Sequence, residues 1–147
     1  MSIGRINKKV YNAVLAEFIQ NNPERGAYLT PDPEGQAYFF PEYKGFAVLQ
    51  GNADMSCEVR GVFKLGDKPG FAHKVAAWAL AVGHTSVYLD CFLPVSDAWS
   101  AAGLLVYKLE PFDEAKRPAN WQDAWGTPSV AYMHGSMRNI QEAAWQN

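Results

Sequence analysis

The chain has 147 residues, the size of one domain, and 48% of them are hydrophobic and 14% aromatic, which excludes extended disorder and allows a substantial core. A formal net charge of -2, with no Lys or Arg run longer than Lys8-Lys9, excludes a general affinity for polyanions, so nucleic acid binding is not indicated. Two cysteines, Cys57 and Cys91, are too few for a disulfide framework; both lie in apolar runs that read as strands, which implies a reducing interior compartment.

Charges interrupt the apolar residues of MSIGRINKKVYNAVLAEF, so this stretch reads as neither a secretion signal nor a membrane span. Ile6, Val10, Val14 and Phe18 recur every four residues, with Leu15 and Ile19 widening the stripe, and predict an amphipathic helix over 5–20. Asn21-Asn22-Pro23 ends it. TPDPEG is a turn cluster, QAYFF a short strand, and KGFAVLQ and SCEVRGVFKL two β-favouring runs joined by GNAD, a β hairpin over 43–65. In its second run Cys57, Val59, Gly61 and Phe63 alternate with Glu58, Arg60, Val62 and Lys64, which predicts one buried face and one partly polar face.

Phe71 to Val82 reads as a helix with Phe71, Val75, Trp78 and Val82 along one side, stopped at Gly83-His84. SVYLDCF is a compact strand, PVSDAWSAAG a short helix and LLVYKLEPF a further strand. DEAKRPANWQDAWGTP is an irregular excursion; SVAYMH and SMRNIQEAAWQ, within 128–147, form a last strand and a last helix. No repeat or linker divides residues 1–147, which read as a single domain. The central strand, helix and strand call for a parallel pair, so the fold class is α/β (α+β), a mixed sheet with a β meander and flanking helices.

Gly66, Gly70 and Ala72 stand between a strand and a helix, where bare backbone N–H groups and the helix dipole attract anions. A plain strand-to-helix turn asks for the same residues, and the stretch matches neither G-x-G-x-x-G nor the nucleotide P-loop. His73, His84 and His134 have no Cys, Asp or Glu at ligand spacing, so no metal site is expected. Cys91 has no His nearby in sequence, and Ser96 and Ser100 lack a G-x-S-x-G setting. Glu58 is a candidate base on its strand, with a salt bridge to Arg60 as the competing role; Tyr107 is a candidate acid, with an edge aromatic as the competing role. Trp121 and Trp125 either pin the irregular segment or, with Trp145, anchor a protein partner, and an oligomer remains open.

The stretch from Glu58 to Phe112 resembles the GNAT N-acetyltransferase superfamily. EVRGVFKL is similar to its hairpin strand, DKPGFA to its pyrophosphate loop, HKVAAWALAVG to the helix that follows, SVYLDCF to its parallel strand and WSAAGLLVYKLEPF to its last segment, which makes 66–112 an acyl-CoA-binding-like core. The phrases YLDCF, EPFD, RPANW and SVAYM resemble a phage-associated GNAT-like subset. The resemblance implies that Gly70, Phe71 and Ala72, beside Lys68 and His73, hold the pyrophosphate of acetyl-CoA. It implies that the pantetheine arm lies between strands ending at Phe63, Lys64 and Leu65 and beginning near Leu89, with Trp99 where the family has a tyrosine. Indole cannot donate a proton as phenol does, and Asp67 replaces the family's Gln or Arg. The implied activity is transfer of an acetyl group from acetyl-CoA to an unidentified amine, in the cytoplasm; the alternative is an inactive GNAT-fold binding or structural protein, such as a phage-encoded virion or host-interaction component.

Overall fold

The computed structural model describes residues 2–119 and 121–146; Met1, Asn147 and Asn120 of the RPANW phrase lie outside them. The elements in chain order are β1 (Gly4–Arg5), α1 (Lys8–Asn21), α2 (Pro23–Ala27), β2 (Gln36–Phe40), β3 (Gly45–Gly51), β4 (Ser56–Lys64), α3 (Phe71–Ala81), β5 (Ser86–Phe92), α4 (Ser96–Ala101), β6 (Leu105–Glu110), β7 (Val130–Ser136) and α5 (Met137–Gln146). The strands form one sheet in the order β1-β2-β3-β4-β5-β7-β6. Its pairs are antiparallel except β4 with β5, the parallel pair expected around the central helix.

Alternation of side chains along the strands separates two cores. On one face Ala47, Leu49, Cys57, Val59, Val87 and Leu89 pack against α3, α4 and α5. On the other, Ala37, Phe46, Val48 and Phe63 pack against α1. The sheet is therefore sandwiched, with α1 and α2 over its first half and α3, α4 and α5 behind.

The first helix differs from the expected 5–20. Gly4 and Arg5 pair with Phe39 and Tyr38, and the Asn7 side chain accepts from the Lys9 N–H, so the helix starts at Lys8. Leu15 and Phe18 are buried and Ile6, Val14 and Ile19 pack beside them as expected, but Val10 is 54% exposed and Tyr11 is buried in its stead. The Tyr11 hydroxyl reaches the Gly61 carbonyl at 2.7 Å, which turns that side of the helix to the sheet. Burying Leu15 and Phe18 contributes about 1.5–3 kcal/mol each. Pro23, which ends α1, also opens α2 at a position where its missing N–H costs nothing.

The expected single face of β4 is also corrected. Its register with β3 shifts between Phe46 and Val48, and Gly61 adopts φ +56, so a bulge turns the strand over. Cys57 and Val59 consequently pack with α3, whereas Phe63 packs with α1. Trp121 pins the irregular segment before β7 to the body of the domain. Trp121, 6% exposed, contacts Tyr28, Phe92, Phe112 and Trp125, and its indole N–H donates to the Gly126 carbonyl at 2.9 Å. Trp145 is 91% exposed. No helix among the described residues is long and apolar enough to cross a membrane.

Candidate acyl-donor cleft

The parallel pair β4 and β5 is joined only from Ser56↔Ser86 to Glu58↔Tyr88. Beyond that point β4 runs on to Lys64 and β5 to Phe92 with no pairing between them, so the sheet opens into a V. The Gly61 bulge bends β4 at this place, and Tyr11 holds the bulge from the α1 side. A Cβ at Gly61 would sit 2.0 Å from the Tyr11 hydroxyl, so glycine is required there by space as well as by its φ. Burial raises the Tyr11 pKa, which keeps the hydroxyl a donor.

A cleft of about 840 Å³ occupies the V. On the α3 and α4 side it is lined by Gly70, Phe71, Ala72, His73, Ala98 and Trp99; on the α1 and α2 side by Phe18, Arg25, Tyr28 and Leu29. Because these sets belong to opposite faces of the sheet, the cleft passes through it.

The turn before α3 answers whether its glycines only bend the chain. Gly70 has φ +91 and caps α3 without a side-chain hydrogen bond, and a Cβ there meets nothing nearer than the Tyr43 hydroxyl at 3.9 Å. The first intrahelical bond across the cap is Lys74 N–H to the Gly70 carbonyl. Among the described residues the N–H groups of Phe71, Ala72 and His73 have no acceptor, and all three residues line the cleft. An 11-residue helix thus directs its bare amino end at the cleft. Phe71 anchors that end: its ring meets Phe40 at 5.1 Å and fills the space left by Gly45, where a Cβ would be 2.4 Å from it.

The expected site residues divide. Phe63, Lys64, Gly70, Phe71, Ala72, His73 and Trp99 line the cleft. Leu65 does not and is 56% exposed. Lys68 does not either: it pairs with Glu42 and lies 5.3 Å over the Tyr43 ring, and that hydrogen bond raises its pKa and lowers that of Glu42. Lys64 donates to the Lys68 carbonyl, closing the loop beside the turn. Asp67 is exposed and outside the cleft lining, so its carboxylate does not face the bare amides across the V.

Glu58 lies at the last paired position of β4, 2.5 Å from Arg60, and outside the cleft lining. Tyr107, 59% exposed, is on edge strand β6, near Tyr88 and Tyr132 and likewise outside the lining. The structure brings neither to the V. It brings instead further residues that sequence reasoning did not select as site residues, among them Asp90 on β5 and Arg25 on α2. Asp90 was legible only as part of a strand, because nothing local marks which strand residue meets a gap. Cys91 also lines the cleft, but burial, with the Asp90 charge adding, pushes its thiol up to about 11, so it is no thiolate nucleophile near neutral pH. No cluster of metal-binding side chains is present among the described residues.

No family model matches the sequence, and no curated protein matches it. Solved structures do match in fold. The spermidine N-acetyltransferase from Vibrio cholerae, solved with CoA and spermine, superposes with a TM-score of 0.65 at 10% identity, over 95% of this chain and 97% of that one. A GNAT-family acetyltransferase from Chromobacterium violaceum gives 0.63 at 11% identity, over 95% and 84%. A Bacillus subtilis acetyltransferase solved with CoA gives 0.55 at 12% identity, over 91% and 97%. The mixed sheet and its flanking helices are the GNAT fold.

Proposed function

We propose that this protein is an N-acyltransferase that moves an acetyl group from acetyl-CoA to an amine. The observation that carries the reading is the pairing of an open V in a GNAT fold with three unpaired amides aimed into it. The fit to coenzyme A rests on these features. The Phe71, Ala72 and His73 amides suit a pyrophosphate, Gly70 leaves the approach free of a side chain, and the apolar walls at Val62, Phe63, Leu89 and Trp99 suit a pantetheine chain.

When bound, the thioester supplies an activated acyl carbon, to which the amine nitrogen bonds as the carbon–sulfur bond breaks. An ammonium acceptor loses two protons over the reaction, one ending on the departing sulfur and one in solvent. The chain's own part is positioning. The bulge at Gly61 and Val62 takes β4 out of register beside the V, which makes its backbone groups candidates for holding the acyl carbonyl. Trp99, 5% exposed, walls the cleft and has no hydrogen-bond partner for its indole N–H among the described residues, so it can donate to the sulfur without transferring a proton.

Titration calorimetry with acetyl-CoA tests the reading. We expect micromolar affinity, reduced at least tenfold in Gly70→Glu, whose side chain both strains the positive φ and brings a carboxylate to the anion site. No heat at millimolar acetyl-CoA removes the proposal. The second reading, a GNAT-fold binding or structural protein without chemistry, is favoured by two observations: Glu58 is paired with Arg60, and Tyr107 stands off the cleft. It predicts no acceptor-dependent release of thiol, whether or not CoA binds.

A further inference from the structure

The mouth of the cleft on the α1 and α2 side carries one further assignment, which rests on the acyl-transfer reading and concerns its acceptor. Of the charged side chains that line the cleft, Lys64 is turned to the Lys68 carbonyl, which leaves Arg25, Arg60 and Asp90 at this mouth. Arg60 is neutralised by Glu58. Arg25 and Asp90 are both exposed, and neither side chain has a hydrogen-bond or ion-pair partner among the described residues.

Their placement follows from one aromatic contact. The rings of Tyr28 and Phe92 meet edge to face at 4.8 Å, which ties the end of α2 to the end of β5. Arg25 precedes Tyr28 by three residues, one helical turn, and Asp90 precedes Phe92 by two, the repeat that keeps a strand residue on the same face. Asp90 also stands opposite Tyr132 on β7, and since Leu89, Ala131 and Met133 beside them pack in the α3-side core, alternation places the Asp90 carboxylate on the face turned away from α3. The two opposite charges are thus brought to one mouth, yet they do not pair with each other. Phe18, Leu29 and the Tyr28–Phe92 contact supply apolar walls beside them.

We propose that this mouth receives a zwitterionic acceptor, a small amine that also bears a carboxylate or similar anion, with Asp90 taking the ammonium and Arg25 the anion. Arg25 offers a planar fork for a carboxylate. Asp90, on the unpaired stretch of β5, takes the ammonium at the opening of the V, and its carboxylate can accept the first proton the nitrogen gives up, directly or through water. An acceptor with only one of the two charges leaves the other group without a partner.

The test uses three probes that differ only in charge: L-phenylalanine, 2-phenylethylamine and 3-phenylpropanoate, titrated by ligand-observed NMR with and without CoA. L-Phenylalanine is expected to bind at least tenfold tighter than either single-charge probe. Arg25→Met is expected to reduce it to the level of 2-phenylethylamine, and Asp90→Asn to the level of 3-phenylpropanoate, with unchanged melting temperatures because both side chains are exposed. Equal binding of 2-phenylethylamine and L-phenylalanine overturns the proposal, as does no binding of any probe or indifference to both substitutions. CoA titration reads the acyl-transfer proposal separately: heat from CoA without selectivity for the zwitterion sinks this inference alone, and absence of CoA heat sinks the donor site while the probe result stands.

Discussion

Tyr11 and Gly61 show how much of the site depends on single contacts. The hydroxyl donates to a carbonyl on a bulge that opens β4, and the glycine has room only for hydrogen. Tyr11→Phe is expected to cost about 1 kcal/mol in urea unfolding, the net worth of one hydrogen bond whose carbonyl, at the cleft edge, can turn to water. Gly61→Ala is expected to cost more, on the order of 1–3 kcal/mol, because it adds a Cβ both at a positive φ and against that hydroxyl. The double variant should lose less than the sum, since removing the hydroxyl relieves the clash; strict additivity would show that the two do not act on each other. Gly70 was legible in the sequence as a turn glycine because its conformation is local. The Tyr11 role was not, since its partner lies 50 residues away.

At the level of elements, the segment between β6 and β7 was legible as irregular, and the spacing of its two tryptophans favoured pinning only slightly over partner binding. The structure buries Trp121 in a ring cluster that joins α2, β5 and this segment. Trp121→Ala is expected to destabilise by about 3–5 kcal/mol. It should also free the segment around Lys116, detected as faster tryptic cleavage after Lys116, the Arg117–Pro118 bond being resistant, while far-UV dichroism is retained. Unchanged cleavage would mean that the Arg117 pairs with Glu114 and Asp123 suffice to hold it. The same cluster walls the cleft through Tyr28 and Phe92, so its loss is expected to weaken acceptor binding more than CoA binding.

For the whole molecule, three groups titrate far from their ordinary range chiefly because of burial, with the Glu58 and Asp90 charges adding at the two cysteines. Cys57 is pushed up to about 12 and Cys91 to about 11, both from 9.0, and Tyr11 is raised from 10.0. A raised pKa in the fold means that the folded state holds protons the unfolded chain releases, so this stability is complete below about pH 9 and is lost as pH rises through 11 and 12. The urea midpoint is expected to be flat from pH 7 to 8.5 and to fall steadily above pH 9, with a shallower fall in Cys91→Ala. A midpoint constant to pH 11 would contradict the burial of Tyr11 and Cys57 and the half-buried setting of Cys91.

Chain order, the helix and strand types, the parallel pair around α3 and the glycine turn before it were determined by the sequence itself, because spacing, proline and glycine act on the backbone within a few residues. The tertiary structure alone decided that Tyr11 and not Val10 completes the buried side of α1, where β4 turns over, and at which residue, Glu58, the pairing of β4 with β5 stops. It likewise carried Arg25 and Asp90 to one mouth. Those outcomes depend on contacts between segments tens of residues apart, and a local pattern constrains a residue's backbone but not the neighbour it will meet.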